Sequence, residues 1–271
     1  MVSNKLLEWQ HIIKFKVPSS KFQVPSNHKV QSSNLKVQSK LKALLSSTYF
    51  GPIQWYQKLN RYDECLIERH ESFIKQTYRN RMIIPTTNGP LSLTIPTNHN
   101  TSLAMKDIRI SDHANWRHVH WNALLSAYGE SPFFEYYQDD IRPFFEKKYE
   151  FLFDFNMETT EKMIELLDIR PKISITEEYI QGKELKGESE EQDGESEAFD
   201  SIANHKVQSS KFKVQSIVDF RDAIRTKKPL PDAEFAPQRY YQVYEQKHGF
   251  QPNMSILDLL FNEGNEAIFY L

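Results

Sequence analysis

The stretch from Leu44 to His70 constrains the fold more than any other. "LLSSTYF" (44–50) is a short apolar run that meets Gly51–Pro52, residues that punctuate the end of a strand. "PIQWYQKLNRY" follows, with Ile53, Tyr56, Leu59 and Tyr62 on one helical face and Pro52 suited to a first turn. "ECLIERH" (64–70) reads as a second strand. A strand, a helix and a strand in so short a span predict a βαβ unit, hence a parallel pair. Ligand sites in parallel sheets gather at the carboxyl ends of strands. Here those ends carry Thr48, Tyr49 and Phe50, and also His70 and Glu71.

Downstream, "RNRMIIPTTNGPLSLTIP" (79–96) predicts a β-hairpin. Asn88–Gly89 tolerates the positive φ angles of a type I′ turn, which sets Ile84 opposite Leu93 and Met82 opposite Ile95. Pro85 lacks an amide hydrogen and belongs at an edge. "MKDIRIS" (105–111) predicts a further strand. The middle section is helical: Trp116, His120, Leu124 and Ala127 share one face, a short helix starts after Ser131–Pro132, and a long one follows Pro143. In that long helix Phe145, Tyr149, Leu152, Asn156, Thr160, Met163 and Leu167, spaced by three or four, form an amphipathic stripe. "PKISITEEYI" (171–180) and "RYYQVYEQ" (239–246) suggest strands, and "VDFRDAIRT" (218–226) suggests a helix. Ser255 and Asp258 fit a capping box that opens a last helix, and Gly264 stops it. The expected fold is α/β, with a mixed β-sheet, a β-hairpin, a helical middle section and low-complexity insertions.

The insertions are visible as a repeat. "NHKVQSSNLKVQS" (27–39) and "NHKVQSSKFKVQS" (204–216) differ at only two positions. One valine per six or seven residues buries little, and Pro18 and Pro25 break helices. The acidic run from Glu184 to Asp200 beside the second copy repels itself. Residues 1–43 therefore read as a repeat-derived extension, 44–271 as a single domain, and 182–216 as a flexible insertion within it. A net charge of −2 gives no argument for nucleic acid, and no apolar stretch approaches a membrane span. No signal peptide is expected, and the single cysteine, Cys65, excludes an internal disulfide and a cysteine metal cluster. Cytoplasmic localisation follows as the expectation, with Cys65 a small core residue.

In order along the chain, "STYFGPIQWYQKL", "KQTYRNRMII", "NGPLSLTIP", "NWRHVHWNALLSAYGESPFFEYY", "RPFFEKKYEFLFDFN" and "GFQPNMSILDLLFNEG" resemble the WbqC-like protein family. The resemblance covers nearly all of 45–180 and about 239–265, and it skips the repeated tracts. It implies a setting in bacterial surface-polysaccharide and O-antigen (lipopolysaccharide) biosynthesis. Lys75, Arg79, Asn80 and Arg81 match the family's basic motif, Trp116 and His120 its "W…H" helix, and Tyr128 and Pro132 the segment that follows. The chain departs from the family at "SSTYF", where Gln-Pro-x-Tyr is common, and at "ERHES", where many members have an acidic pair.

Arg79 and Arg81, two apart ahead of a strand, predict guanidinium groups on one face, a geometry matched to phosphate or carboxylate. With Lys75 they suit a nucleotide-sugar or an acyl-carrier substrate; structural ion pairs are the competing reading. His120 is the candidate general base, against a half-buried histidine held by a carbonyl. His70 is a candidate substrate contact, with Glu71 beside it, and Tyr49 and Trp116 are candidate ring contacts. His113, His118 and His120 lack the one-face spacing of metal ligands, and no motif names a cofactor. Two functions follow from different classes. One is a transferase moving an acyl, aminoacyl or glycosyl group to a sugar, and the other is a non-catalytic sugar-nucleotide binder or scaffold serving partner enzymes, conceivable as a decayed family member.

Overall fold

A computed structural model of the chain describes residues 41–98, 103–181 and 217–271. The repeated tract and the acidic run lie outside the described residues, and so do the expectations placed on them.

The βαβ unit forms as read. Strand β1 (Lys42–Ser46) pairs in parallel with β2 (Glu64–Glu68), from Lys42 opposite Glu64 to Ser46 opposite Glu68. Helix α1 (Ile53–Arg61) makes the crossover, and Ile53 through Leu59 are all buried, so it is covered on more than the sheet-facing side. Trp55, Tyr56 and Leu59 each contribute about 1.5–3 kcal/mol by leaving water, as an upper bound. β1 stops at Ser46, earlier than expected, and Ser47–Phe50 run on past the sheet edge, where Phe50 turns the chain with φ 39°. Cys65 is buried within β2, and burial pushes its thiol up to about 12.

Two more parallel strands complete the sheet. β7 (Ile173–Ile175) joins the far side of β2, and β8 (Ile217–Asp219) joins the far side of β1, giving the order β7-β2-β1-β8. The segment 218–226 therefore begins as a strand, not the expected helix. Ala43 and Leu44 of β1 are fully buried, and their outward backbone groups need partners; β8 supplies them, and the Phe220 amide extends the ladder by donating to Leu44 O at 3.0 Å. The β-structure is mixed across the molecule. The main sheet is parallel, whereas β3 (Arg81–Thr86) with β4 (Gly89–Thr94), and β5 (Thr97–Asn98) with β6 (Arg109–Ile110), form antiparallel pairs.

The hairpin register is shifted by two residues from the expected one. Met82 lies opposite Leu93, Ile84 opposite Leu91, and Thr86 opposite Gly89. Thr87 and Asn88 occupy the turn without positive φ, which excludes type I′, and Gly89 alone takes φ 95°. The Thr86 hydroxyl holds this turn, donating to Gly89 O at 2.7 Å and accepting from the Asn88 amide at 3.2 Å. A shift of two preserves the face, so Met82, Ile84, Leu93 and Ile95 are buried as the pattern required.

Helix α2 (Trp116–Tyr128) buries Trp116, His120, Leu124 and Ala127, and α3 (Phe134–Ile141) follows. The long helix expected after Pro143 is divided into a short 3₁₀ turn at Arg142–Phe145 and α4 (Leu152–Leu166). Between them the backbone is committed elsewhere: Ile110 N donates to Glu150 O and Leu152 N to Ile108 O, strand-like bonds that a continuous helix would forfeit. Of "MKDIRIS" only β6 is strand, preceded by a 3₁₀ turn at Met105–Asp107. Residues 239–244 form no strand; α5 (Glu245–His248) is a single turn. Helix α6 (Ile256–Glu263) is capped by Ser255, whose hydroxyl accepts from Leu257 N at 3.4 Å. Asp258 does not close the expected box. Its buried carboxylate accepts from the Tyr240 hydroxyl and from Gln242 Nε2 at 2.8 Å, tying the irregular 240–242 segment to α6.

Candidate functional site at the carboxyl ends of the parallel strands

Polar side chains gather where the four parallel strands end. Ser46 closes β1, Glu68 closes β2, Thr176 follows β7 and Asp219 closes β8. Ser46, Glu68, Thr176 and two nearby side chains, Arg79 and Arg221, are buried, and buried polar groups must be paired. Glu68, with no solvent exposure, accepts from His70 N at 2.8 Å, Thr176 Oγ1 at 2.7 Å and Ile180 N at 2.9 Å. Arg79 Nε donates to Glu71 Oε1 at 2.7 Å, while Nη2 serves Glu71 Oε2 and Ser46 Oγ. Arg221 forms a second fork, to Asp219 Oδ1 at 3.0 Å and Oδ2 at 2.7 Å, donates to Ile180 O, and lies under the Tyr179 ring at 5.1 Å.

A cleft of about 370 Å³ opens above these pairs, walled by His70, Glu71, Arg79, Tyr179, Asp219 and Arg221, with Asp222 at its margin. Three carboxylates face two guanidinium groups, so the cleft offers fixed hydrogen-bond donors and acceptors of both signs rather than a surplus of positive charge. Breaking such a buried bidentate pair by removing one partner costs about 3–5 kcal/mol, so an incoming anion gains little by displacing Glu71 from Arg79.

The predicted residues separate. Arg79 lies in the turn before β3, where strand alternation does not apply; it points to Glu71, whereas Arg81, the first residue of β3, donates to Thr94 Oγ1 at 2.8 Å. The expected convergence of the two guanidinium groups does not occur. Asn80 is buried and braces the turn, donating to Ile95 O at 3.0 Å and accepting from Gln76 N at 3.0 Å. Lys75 is exposed on the same turn. His70 does reach the cleft wall, with Nε2 held by Arg69 Nε at 3.2 Å. His120 lies elsewhere, 4% exposed, with Nδ1 2.9 Å from the Tyr49 hydroxyl and its ring between those of Tyr49 and Trp116. Burial pulls its imidazole down to about 4 and pushes the Tyr49 phenol well above its usual range. Tyr49 and Trp116 are likewise buried and do not line the cleft.

Sequence reasoning missed Ser46, Glu68, Tyr179, Asp219 and Arg221. The usable signal was the acid–Arg spacing in "VDFRD", which matters only once 217–219 is known to pair with β1.

The architecture and this cleft define a parallel-sheet α/β protein with its candidate ligand site at the strand ends. The model of the WbqC-like protein family matches residues 46–270, and the chain belongs to that family. It is similar to the "Uncharacterized protein Rv1507c" of Mycobacterium tuberculosis (strain ATCC 25618 / H37Rv), with 27% identity over 241 residues, covering 86% of this chain and 97% of that protein. No solved structure gives a significant match. Among the described residues no helix is long and apolar enough to cross a membrane.

Proposed function

We propose that the protein is a transferase modifying a sugar in bacterial surface-polysaccharide assembly, and that the sugar sits in the cleft over the strand ends. The family resemblance supplies the setting. The observation that carries the reading is the pair of carboxylate–guanidinium forks, Glu71–Arg79 and Asp219–Arg221, in one cleft wall, with Tyr179 stacked on Arg221. A sugar presents neighbouring hydroxyls that both donate and accept, and a wall with both functions already oriented lowers the ordering cost of binding. Tyr179 offers a ring for the apolar face of a pyranose.

His70 takes the acid–base role first assigned to His120, because it is the imidazole on the cleft wall. It accepts the proton that leaves a sugar hydroxyl or amine as that atom bonds to the transferred group, while the group's bond to its donor breaks, and it passes the proton to the departing nucleoside diphosphate or coenzyme A thiolate. His120 then has a positioning role, holding Tyr49 beyond the end of β1.

The test is a thermal-shift screen of the full chain against nucleotide-sugars and coenzyme A thioesters. The expected result is a stabilising ligand whose effect is weakened in Tyr179→Ala, and a turnover that disappears in His70→Ala while binding remains. Absence of any stabilising ligand, or a shift indifferent to Tyr179, contradicts the reading. Binding without turnover in the wild type would favour the non-catalytic binder instead.

A further inference from the structure

A second cleft, of about 440 Å³, lies between the start of α2 and the chain that joins α3 to α4, and shares no lining residue with the first. Its charge balance is the reverse. Arg117, Arg142 and Lys148 face only two carboxylates, Asp112 and Glu146, with His118 beside them. Its walls include Trp121 and Phe145, whose rings are 5.8 Å apart, and such apolar surface lowers the local dielectric and strengthens the field of nearby cations.

The three cations are held differently. Arg117 is fixed: Nη1 donates to Asp112 Oδ1 at 2.6 Å, Nε to Lys147 O at 3.1 Å, and the guanidinium lies 4.6 Å from the Trp116 ring centre. Its Nη2 is buried and has no hydrogen-bond partner among the described residues. Arg142 and Lys148 are loosely held. Arg142 pairs with Glu146 while both are more than half exposed, and Lys148, 81% exposed, stands 3.4 Å from Asp112. Exposed pairs of this kind are weak and screened by salt, so an anion displaces them readily. The buried Glu71–Arg79 fork of the first cleft does not yield in that way.

We propose that this second cleft binds a phosphate group, with Arg117 as the fixed cation and Arg142 and Lys148 closing onto the ligand. The anion recognition expected of the Lys75/Arg79/Arg81 stretch thus belongs to a different part of the chain, and the inference stands whether or not the first cleft holds a sugar.

The test is titration calorimetry of the full chain with pyrophosphate, at low and at physiological salt. The wild type is expected to bind saturably, and more weakly as salt rises. The double variant Arg142→Gln/Lys148→Gln, altered at exposed positions, is expected to keep its melting temperature and to lose affinity about tenfold or more. Tyr179→Ala, in the other cleft, is expected to bind pyrophosphate as the wild type does. No saturable binding in the wild type, equal affinity in the double variant, or loss of binding in Tyr179→Ala each overturns the proposal. Lys148→Glu gives an independent reading, since reversing one charge must weaken binding further than neutralising it.

Discussion

Arg79 and Glu71 meet as a buried bidentate pair at the carboxyl end of β2, with Arg79 Nε 2.7 Å from Glu71 Oε1 and Ser46 Oγ bound to both side chains. Three segments, the end of β1, the stretch that follows β2 and the turn before β3, are thereby joined at one point. Removing the carboxylate strands a buried guanidinium. Glu71→Gln is expected to lower unfolding free energy by about 3–5 kcal/mol in urea titrations, and Glu71→Gln/Arg79→Met to recover much of that loss. A loss below about 1 kcal/mol in the single variant would mean that water already serves this pair.

The buried His120 makes stability depend on pH. Its imidazole titrates near 4 in the folded protein and near 6.5 when unfolded, so the unfolded chain binds more protons between those values. The stabilisation is present above about pH 6.5 and is lost as pH falls toward 4, a difference of about 3 kcal/mol. The stability gap between wild type and His120→Gln should therefore be wider at about pH 7.5 than at about pH 4.5. An equal gap at both pH values would show an imidazole in contact with water.

Asp258 acts in the opposite sense. Burial raises its carboxyl to about 6, so the folded state holds a proton that the unfolded chain releases nearer 4. Its contribution is present at low pH and is lost as pH rises through 6. Asp258→Asn should therefore cost more stability at about pH 4.5 than at about pH 7.5, again by unfolding titration. In the wild type the His120 and Asp258 effects oppose each other, so each is visible only through its variant.

Gly89 carries the hairpin's positive φ, with open space where a Cβ would stand. Gly89→Ala is thus a test of backbone conformation without steric clash, and about 1–2 kcal/mol of stability should be lost. Asn88→Ala, at a residue with ordinary φ, should cost less than half as much.

How much of this was readable in advance follows from the range of the forces involved. The βαβ unit, the buried faces of α2 and the cap of α6 depend on neighbours a few residues away, and spacing alone located them. β8 did not announce itself. Three residues carry little propensity, and their strand conformation is set by hydrogen bonds to β1 from more than 170 positions earlier in the chain. Arg221 and Asp219 were missed for the same reason. Arg79 and Arg81 suggested a shared face because strand alternation was extended two residues upstream of β3, which begins at Arg81. His120 sits on the buried face that its helical spacing indicated, and that burial sets its imidazole against Tyr49 instead of on the cleft wall. The break before α4 was hidden because the three-or-four spacing of the stripe runs unbroken through residues whose backbone is bonded to 108–110.

The account rests on the strand-end cleft as the place where the sugar binds. The most direct measurement is the dissociation constant of the most stabilising nucleotide-sugar for wild type and for Tyr179→Ala, by calorimetry at fixed salt. Tyr179 is half exposed and covers Arg221, so its loss removes a cleft wall without emptying the core. A weakening of about tenfold or more, with unchanged melting temperature, is the predicted result; equal affinity for the two proteins would contradict it.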